Sequence, residues 1–196
     1  MRVERLQREF EIEVEWRPYE LHPEIPSEGI DRSGGDSARR AGYYDHLRAL
    51  AEDAGLTFRP SMRVPNSHRS LEAAEFAREQ GAFAPYHRAL FEAYFGQGRD
   101  IGDVEVLAEL GAASGLDPAA LRDALASRRY ASLVDERTEE ARGWDVTGTP
   151  TVIFENGERR LPIIGAQEYS LFENVARRMG ARERTEKLEP RTEENV

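Results

Sequence analysis

Residues 147–165 read TGTPTVIFENGERRLPIIG. Thr151–Phe154 is a β-branched and aromatic run, which reads as a buried strand. Asn156-Gly157 follows, then the second apolar run RRLPIIG, and Asn-Gly between apolar runs is the strongest short-range hairpin signal. Behind the hairpin, EYSLFENVARRMG carries apolar residues at helical spacing. The strand opens on Pro150, which has no N–H to give a ladder and is tolerated at a strand's first residue. Gly148 supplies conformational freedom just ahead of it. Two readings stay open on these residues. In one, Thr149–Pro150 is an ordinary trans bond at a strand start. In the other it is cis, an isomer that is cheap only before proline. The turn then points the N–H and carbonyl of Thr149 away from the sheet, free to pair with an extended segment of a partner.

The rest of the chain bounds the problem. Its 196 residues suit one domain of ordinary size, or one domain with an insertion. Charged residues are 33% of the chain, and no apolar run approaches the roughly 18 residues of a membrane helix. No basic-then-apolar leader opens it, so a cytoplasmic protein without a membrane partner is expected. The net charge of −10 disfavours nucleic acid, whose phosphates need a basic face. There is no cysteine, which excludes disulfides, thiolate metal sites and cysteine nucleophiles within these residues. His22, His46, His68 and His87 lie far apart with no paired spacing, so no metal site is expected. No GxGxxG, P-loop or GxSxG pattern occurs, and no cofactor is expected.

Working back from the hairpin, RVERLQREF places Val3, Leu6 and Phe10 at helical spacing. EIEVEW then alternates Ile12, Val14 and Trp16 with Glu11, Glu13 and Glu15, the pattern of a half-buried strand. HPEIPSEGIDRSGGDS reads as a loop. From about Ala38 to about Tyr130 the pattern is helical, with Gly55 and Gly81 as stops and Asn66 or Ser67 as an N-cap. Asp117 caps a further helix whose first residue is Pro118. Tyr86, Phe91, Tyr94 and Phe95 form an aromatic stripe that reads as core packing. His68 and Glu72, four residues apart on one helix, read as a surface pair. A longer helix runs to about Gly143, and the tail from Ala181 to Val196, dense in charge, reads as disordered.

Four stretches, in chain order, carry a family resemblance. They are EVEWRPYELHPEIPSEG (13–29), PNSHRSLEAAEFAREQG (65–81), FEAYFGQGRDIGDVEVLAELGAASGLD (91–117) and GTPTVIFENGERRLPIIGAQ (148–167). With the hairpin and closing helix they resemble the DsbA family, and most nearly its cytoplasmic DsbA-like oxidoreductases, over residues 1 to 180. The resemblance implies an α/β, thioredoxin-like fold with its core in residues 1–20 and 144–180. A helical insertion over 37–143 would lie between the second strand, EIEVEW, and the cis-proline strand, with 181–196 as the charged tail.

The family's chemistry lies in a first strand running into Cys-x-x-Cys, which opens the first helix and holds a thiolate that exchanges with substrate disulfides. Here MRVERLQREF resembles the body of that helix, and neither the first strand nor any cysteine is among these residues. The resemblance therefore implies a DsbA-like thiol–disulfide oxidoreductase in a chain without catalytic residues, expected to be an N-terminally truncated gene model. Without the first strand, EIEVEW and the Pro150 strand lack ladder partners. By resemblance, Gly148, Thr149 and Pro150 would supply the substrate-facing backbone, with Asn66 and Tyr19 in support. A plain helix cap for Asn66 and simple packing for Tyr19 are the bland alternatives. Partners would be protein or small-molecule thiol and disulfide substrates. A related branch, the glutathione-dependent kappa-class transferases and 2-hydroxychromene-2-carboxylate isomerases, carries a Gly-Ser-Asp-Arg-like stretch before the last helix. This chain has Gly165-Ala166-Gln167-Glu168 there: Ala166 lacks a hydroxyl, and Glu168 would repel a carboxylate. A non-redox peptide-binding protein of the same fold is the remaining alternative.

Overall fold

The computed structural model describes residues 2–31, 37–53, 55–59 and 61–185. In chain order the elements are α1 (Arg2–Glu9), β1 (Ile30–Asp31), α2 (Ser37–Asp53), β2 (Arg63–Val64), α3 (His68–Glu79) and α4 (Phe83–Phe91). A π-helical turn (Glu92–Gly96), α5 (Val104–Ala113), α6 (Pro118–Ala126), α7 (Ala131–Gly143), β3 (Thr151–Asn156), β4 (Arg159–Ile164) and α8 (Tyr169–Arg178) complete the order. They fall into two compact units, residues 1–17 with 142–196, and residues 18–141.

The first unit is built on the β3–β4 hairpin. Its two strands pair antiparallel from Thr151↔Ile164 to Asn156↔Arg159. Gly157, at φ +60°, takes the left-handed turn position that favours glycine. The apolar faces of α1 and α8 meet the hairpin in a core of Leu6, Phe10, Ile163, Phe172, Val175 and Met179, with Val152 and Phe154 packed against it. The Tyr169 hydroxyl donates to Glu9 Oε2 at 2.6 Å, which ties α8 to the end of α1. The expected disorder of the tail does not hold at its start. Glu11 N–H donates to the Arg182 carbonyl and Arg184 N–H to the Glu9 carbonyl, both at 2.8 Å, so residues 182–184 run beside 9–11. Residues 186–196 lie outside the described set.

The strand expected at EIEVEW is not formed. Burial alternates over the first part only, with Ile12 and Val14 half-buried between the exposed Glu11, Glu13 and Glu15, while Trp16 is exposed, and no ladder joins the segment to β3. Side-chain alternation is written in one segment, whereas a ladder needs a second segment within about 5 Å.

The second unit is helical. Its core is Ala73, Phe76, Ala77, Tyr86, Leu90, Ala93, Leu107, Leu121 and Leu125, contributed by α3 to α6. Asp103 and Asp117 cap α5 and α6 by accepting from Glu105 and Ala119 N–H, both at 2.8 Å. The aromatic stripe is corrected. Tyr86 is buried, but Phe91 and Phe95 are 52% and 43% exposed. The buried face runs Tyr86, Leu90, Ala93, at i, i+4 and i+7, and Phe91 and Phe95, at i+5 and i+9, fall on the other side of the helix. A second departure is β1, which lies inside the segment read as loop and pairs with β2, itself within the stretch read as helical. Two-residue strands have no readable period. Gly29, at φ +74°, is needed beside this ladder, because a Cβ there would stand 2.7 Å from the Val64 carbonyl oxygen.

Candidate functional site

Gly148, Thr149 and Pro150 come together as a loop at the head of β3, and the Thr149–Pro150 bond is cis. Two hydrogen bonds brace the loop from within: Thr151 Oγ1 donates to the Gly148 carbonyl, and Gly165 N–H to the Pro150 carbonyl, both at 2.7 Å. Thr149 and Pro150 are exposed, and the backbone of Thr149 makes no hydrogen bond among the described residues. The loop therefore presents a donor and an acceptor to solvent from the start of an otherwise paired hairpin.

Nearby in sequence, Arg160 stacks its guanidinium over the Trp144 ring at 4.0 Å. This holds one face of the indole against β4.

Asn66 and Tyr19 belong to the helical unit. Asn66 Oδ1 accepts from His68 N–H at 2.9 Å, and its Nδ2 donates to the Ile25 carbonyl at 2.6 Å. Asn66 is thus a helix-start bond joined to a loop tie. Tyr19 is half-buried beside Glu20 in the sequence.

Sequence spacing concealed a polar cluster in the same unit. His68 Nδ1 lies 3.0 Å from Glu20 Oε2 and 4.0 Å from Asp135 Oδ1. On the other side, His68 Nε2 lies 3.4 Å from Glu72 Oε1 and 3.3 Å from Arg128 Nη2. Glu20 N–H donates to Thr138 Oγ1 at 3.1 Å. Glu72 is 1% exposed, and its Oε2 has no hydrogen-bond partner among the described residues. Burial pushes the Glu72 carboxyl above its ordinary range, against the pull of the His68 and Arg128 charges. The expected surface pair of His68 and Glu72 is therefore a buried one. α3 turns its His68–Glu72 face inward, with a carboxylate beside each ring nitrogen of His68.

Glu20, His68 and Asp135 bring one ligand atom each to within 4.8 Å of one another, although no spacing in the sequence brought them together. The 3.0 Å contact between His68 and Glu20 is a hydrogen-bond distance, so a single proton satisfies that pair.

The chain matches the model of the DSBA-like thioredoxin domain family over residues 1–176. It is 30% identical over 168 residues to YwbO of Bacillus subtilis (strain 168), a protein itself named as uncharacterized, spanning 84% of this chain and 81% of that one. Among solved structures it is similar to the probable DsbA oxidoreductase SCO1869 of Streptomyces coelicolor. That match has a TM-score of 0.75 and 24% identity, and covers 83% of this chain and 73% of the other. A candidate protein disulfide isomerase of Nitrosomonas europaea matches with a TM-score of 0.61 and 13% identity, covering 78% of this chain and 80% of that one. At these identities the two structures bear on the fold alone.

Proposed function

Since the chain belongs to the DSBA-like thioredoxin domain family, we propose that its residues form the substrate-facing part of a DsbA-like thiol–disulfide oxidoreductase. The thiol pair that performs the exchange comes from outside these 196 residues, which contain no cysteine. The observation that supports this reading is the loop at the head of β3, where the Thr149 backbone is exposed and unpaired among the described residues.

In the proposed reaction an extended segment of a disulfide-bearing protein pairs with the Thr149 N–H and carbonyl, and the loop fixes its line across the site. A thiolate attacks one sulfur of the substrate disulfide, forming a mixed disulfide and releasing the other sulfur as a thiolate. A second thiol then attacks the mixed disulfide. The substrate leaves as a dithiol, and the thiol pair is left as a disulfide. Residues 148–150 contribute positioning and hold no proton in this scheme. A cytoplasmic setting accompanies the reading by resemblance; no helix among the described residues is long and apolar enough to cross a membrane.

The test is titration of the isotope-labelled chain with an unfolded, disulfide-bearing peptide, followed at the amides of Gly148, Thr149 and Thr151. A saturable shift centred on Thr149 is expected. No shift there, with binding elsewhere or none, would overturn the assignment of the loop. A shift equally strong with a cysteine-free peptide would favour a plain peptide-binding module.

A further inference from the structure

Three separate parts of the helical unit meet at one imidazole ring. Glu20 comes from an irregular segment, His68 opens α3, and Asp135 lies on α7. Glu20 Oε2 and Asp135 Oδ1 both stand on the Nδ1 side of His68, at 3.0 and 4.0 Å. The three atoms lie within 4.8 Å of one another. Donors held about 2.0–2.2 Å from one ion stand about 3.0–3.5 Å apart, so the first separation falls in that range and the second lies just beyond it. Asp135 can make up the difference, because its side chain is 65% exposed, whereas those of Glu20 and His68 are 8% and 13% exposed. Burial fixes two ligands, and the third is free to swing onto them. Glu20 is held from behind as well: its N–H donates to Thr138 Oγ1 at 3.1 Å, and Thr138 lies about one turn along α7 from Asp135.

The far side of the ring carries the second observation. His68 Nε2 lies 3.4 Å from Glu72 Oε1 and 3.3 Å from Arg128 Nη2. A guanidinium can only donate. When the ring's one proton sits on Nδ1, shared with Glu20, Nε2 accepts from Arg128 and has nothing to give Glu72. Glu72 is 1% exposed, and its Oε2 has no hydrogen-bond partner among the described residues. A cation on Nδ1 reverses this. The proton then sits on Nε2 and is donated to Glu72, the arrangement in which a ligating imidazole gives its other N–H to a carboxylate. The short-handed buried carboxylate thus reaches toward the ring from the side a metal-bound histidine uses.

We propose that Glu20 Oε2, His68 Nδ1 and Asp135 Oδ1 bind a divalent first-row transition cation such as zinc, with Glu72 orienting His68 from behind. An imidazole nitrogen beside two carboxylates suits such ions and disfavours magnesium and calcium, which take oxygen alone. The cation replaces the proton that His68 and Glu20 share, and that proton is released to solvent. Water completes the coordination on the exposed side, at Asp135. The bound ion clamps α3, α7 and the segment around Glu20 together. His22 offers a contrast: it lies 2.8 Å from Glu24 Oε1, but the two side chains are 51% and 71% exposed. The inference does not rest on the redox reading, since its residues lie in the helical unit and hold no thiol.

The test uses the whole chain, stripped with a chelator, and zinc chloride as the probe. No cysteine competes for the ion. Calorimetric titration is expected to show one zinc per chain with a Kd of about 10 μM or tighter. Ring nitrogen shifts of the isotope-labelled chain are expected to place the ion on Nδ1 of His68 and the proton on Nε2, with His22, His46 and His87 unmoved. Zinc at about 100 times Kd raises the Tm by about 5 °C or more. Asp135→Asn, at an exposed position that spares the fold, weakens zinc at least about tenfold, and Glu72→Gln weakens it several-fold. His22→Ala changes nothing, and magnesium or calcium at about millimolar concentration does not compete. No saturable uptake up to about 100 μM zinc, in a chain with intact helical signal, overturns the proposal. Binding that survives Asp135→Asn, or that is lost with His22→Ala, overturns it too, because the ion then sits on scattered surface groups. Either failure leaves the Thr149 reading standing, since that reading is tested at the amides of residues 148–151.

Discussion

Oε2 of Glu20 lies 3.0 Å from Nδ1 of His68 and joins residues 48 apart in the sequence. Both side chains are withdrawn from solvent, at 8% and 13% exposure. The pair pins the irregular segment around Glu20 to the first turn of α3, and Asn66 ties the same helix start to Ile25. Removing one partner leaves the other buried and uncompensated, which costs far more than the pair contributes as a whole. His68→Ala is expected to destabilise the chain by about 3 kcal/mol. At about 2–4 °C per kcal/mol for a chain of this size, the fall in Tm is easily read by calorimetry. A loss under about 1 kcal/mol would mean the pair is solvated rather than buried.

Glu72 gives a pH dependence of definite sign. Burial raises its pKa in the folded chain above the ordinary value of 4.5. Folding therefore takes up a proton in the window above that value, and this group's contribution to stability is lost as pH rises through its folded pKa. Glu72→Gln keeps the shape and removes the charge. The variant is expected to match the parent near pH 4 and to melt higher at pH 7, with the gap opening through the window between (pH values approximate). Thermal melts across that range decide it; a variant that melts lower at pH 7 would show that the ion pair with His68 outweighs the burial.

Tyr86 is fully buried and donates to the Leu107 carbonyl at 3.2 Å. Tyr86→Phe keeps the ring and loses one hydrogen bond, so a loss of about 0.5–1.5 kcal/mol is expected in urea unfolding, with an unchanged m-value.

Gly29 carries a steeper cost for a single methyl. Alanine there meets both the left-handed φ of +74° and a contact of 2.7 Å to a backbone oxygen. Gly29→Ala is expected to destabilise by about 2 kcal/mol or more and to free the β1–β2 amides for exchange. Unaltered exchange at Ile30 and Val64 would contradict this.

How far the sequence could be read depended on whether a feature is local. The hairpin, its closing helix and the aspartate cap at 117 follow from turn chemistry and period, and all are present. Ile12, Val14 and the glutamates between them show their alternation in the sequence, but the ladder they would need has no second strand beside them. Phe91 and Phe95 looked like core because they are large and aromatic, but at i+5 and i+9 from Tyr86 they fall off the face that Tyr86, Leu90 and Ala93 bury. The Glu20–His68–Glu72 cluster was half visible, as a pair four residues apart. Its burial is set by α7 and by the segment around Glu20, which no spacing reveals.

The redox reading itself is tested most directly by disulfide reduction. The 196 residues alone are assayed with insulin, and so are the same residues joined ahead of Arg2 to the strand and Cys-x-x-Cys segment of a DsbA-like relative. Circular dichroism confirms that the helical content is retained. We expect no reduction from the chain alone, turnover from the joined protein, and loss of turnover when its first cysteine is serine. A well-folded joined protein whose thiols react with a small-molecule disulfide but never turn over insulin would contradict the claim that the loop around Thr149 presents protein disulfides to a thiol.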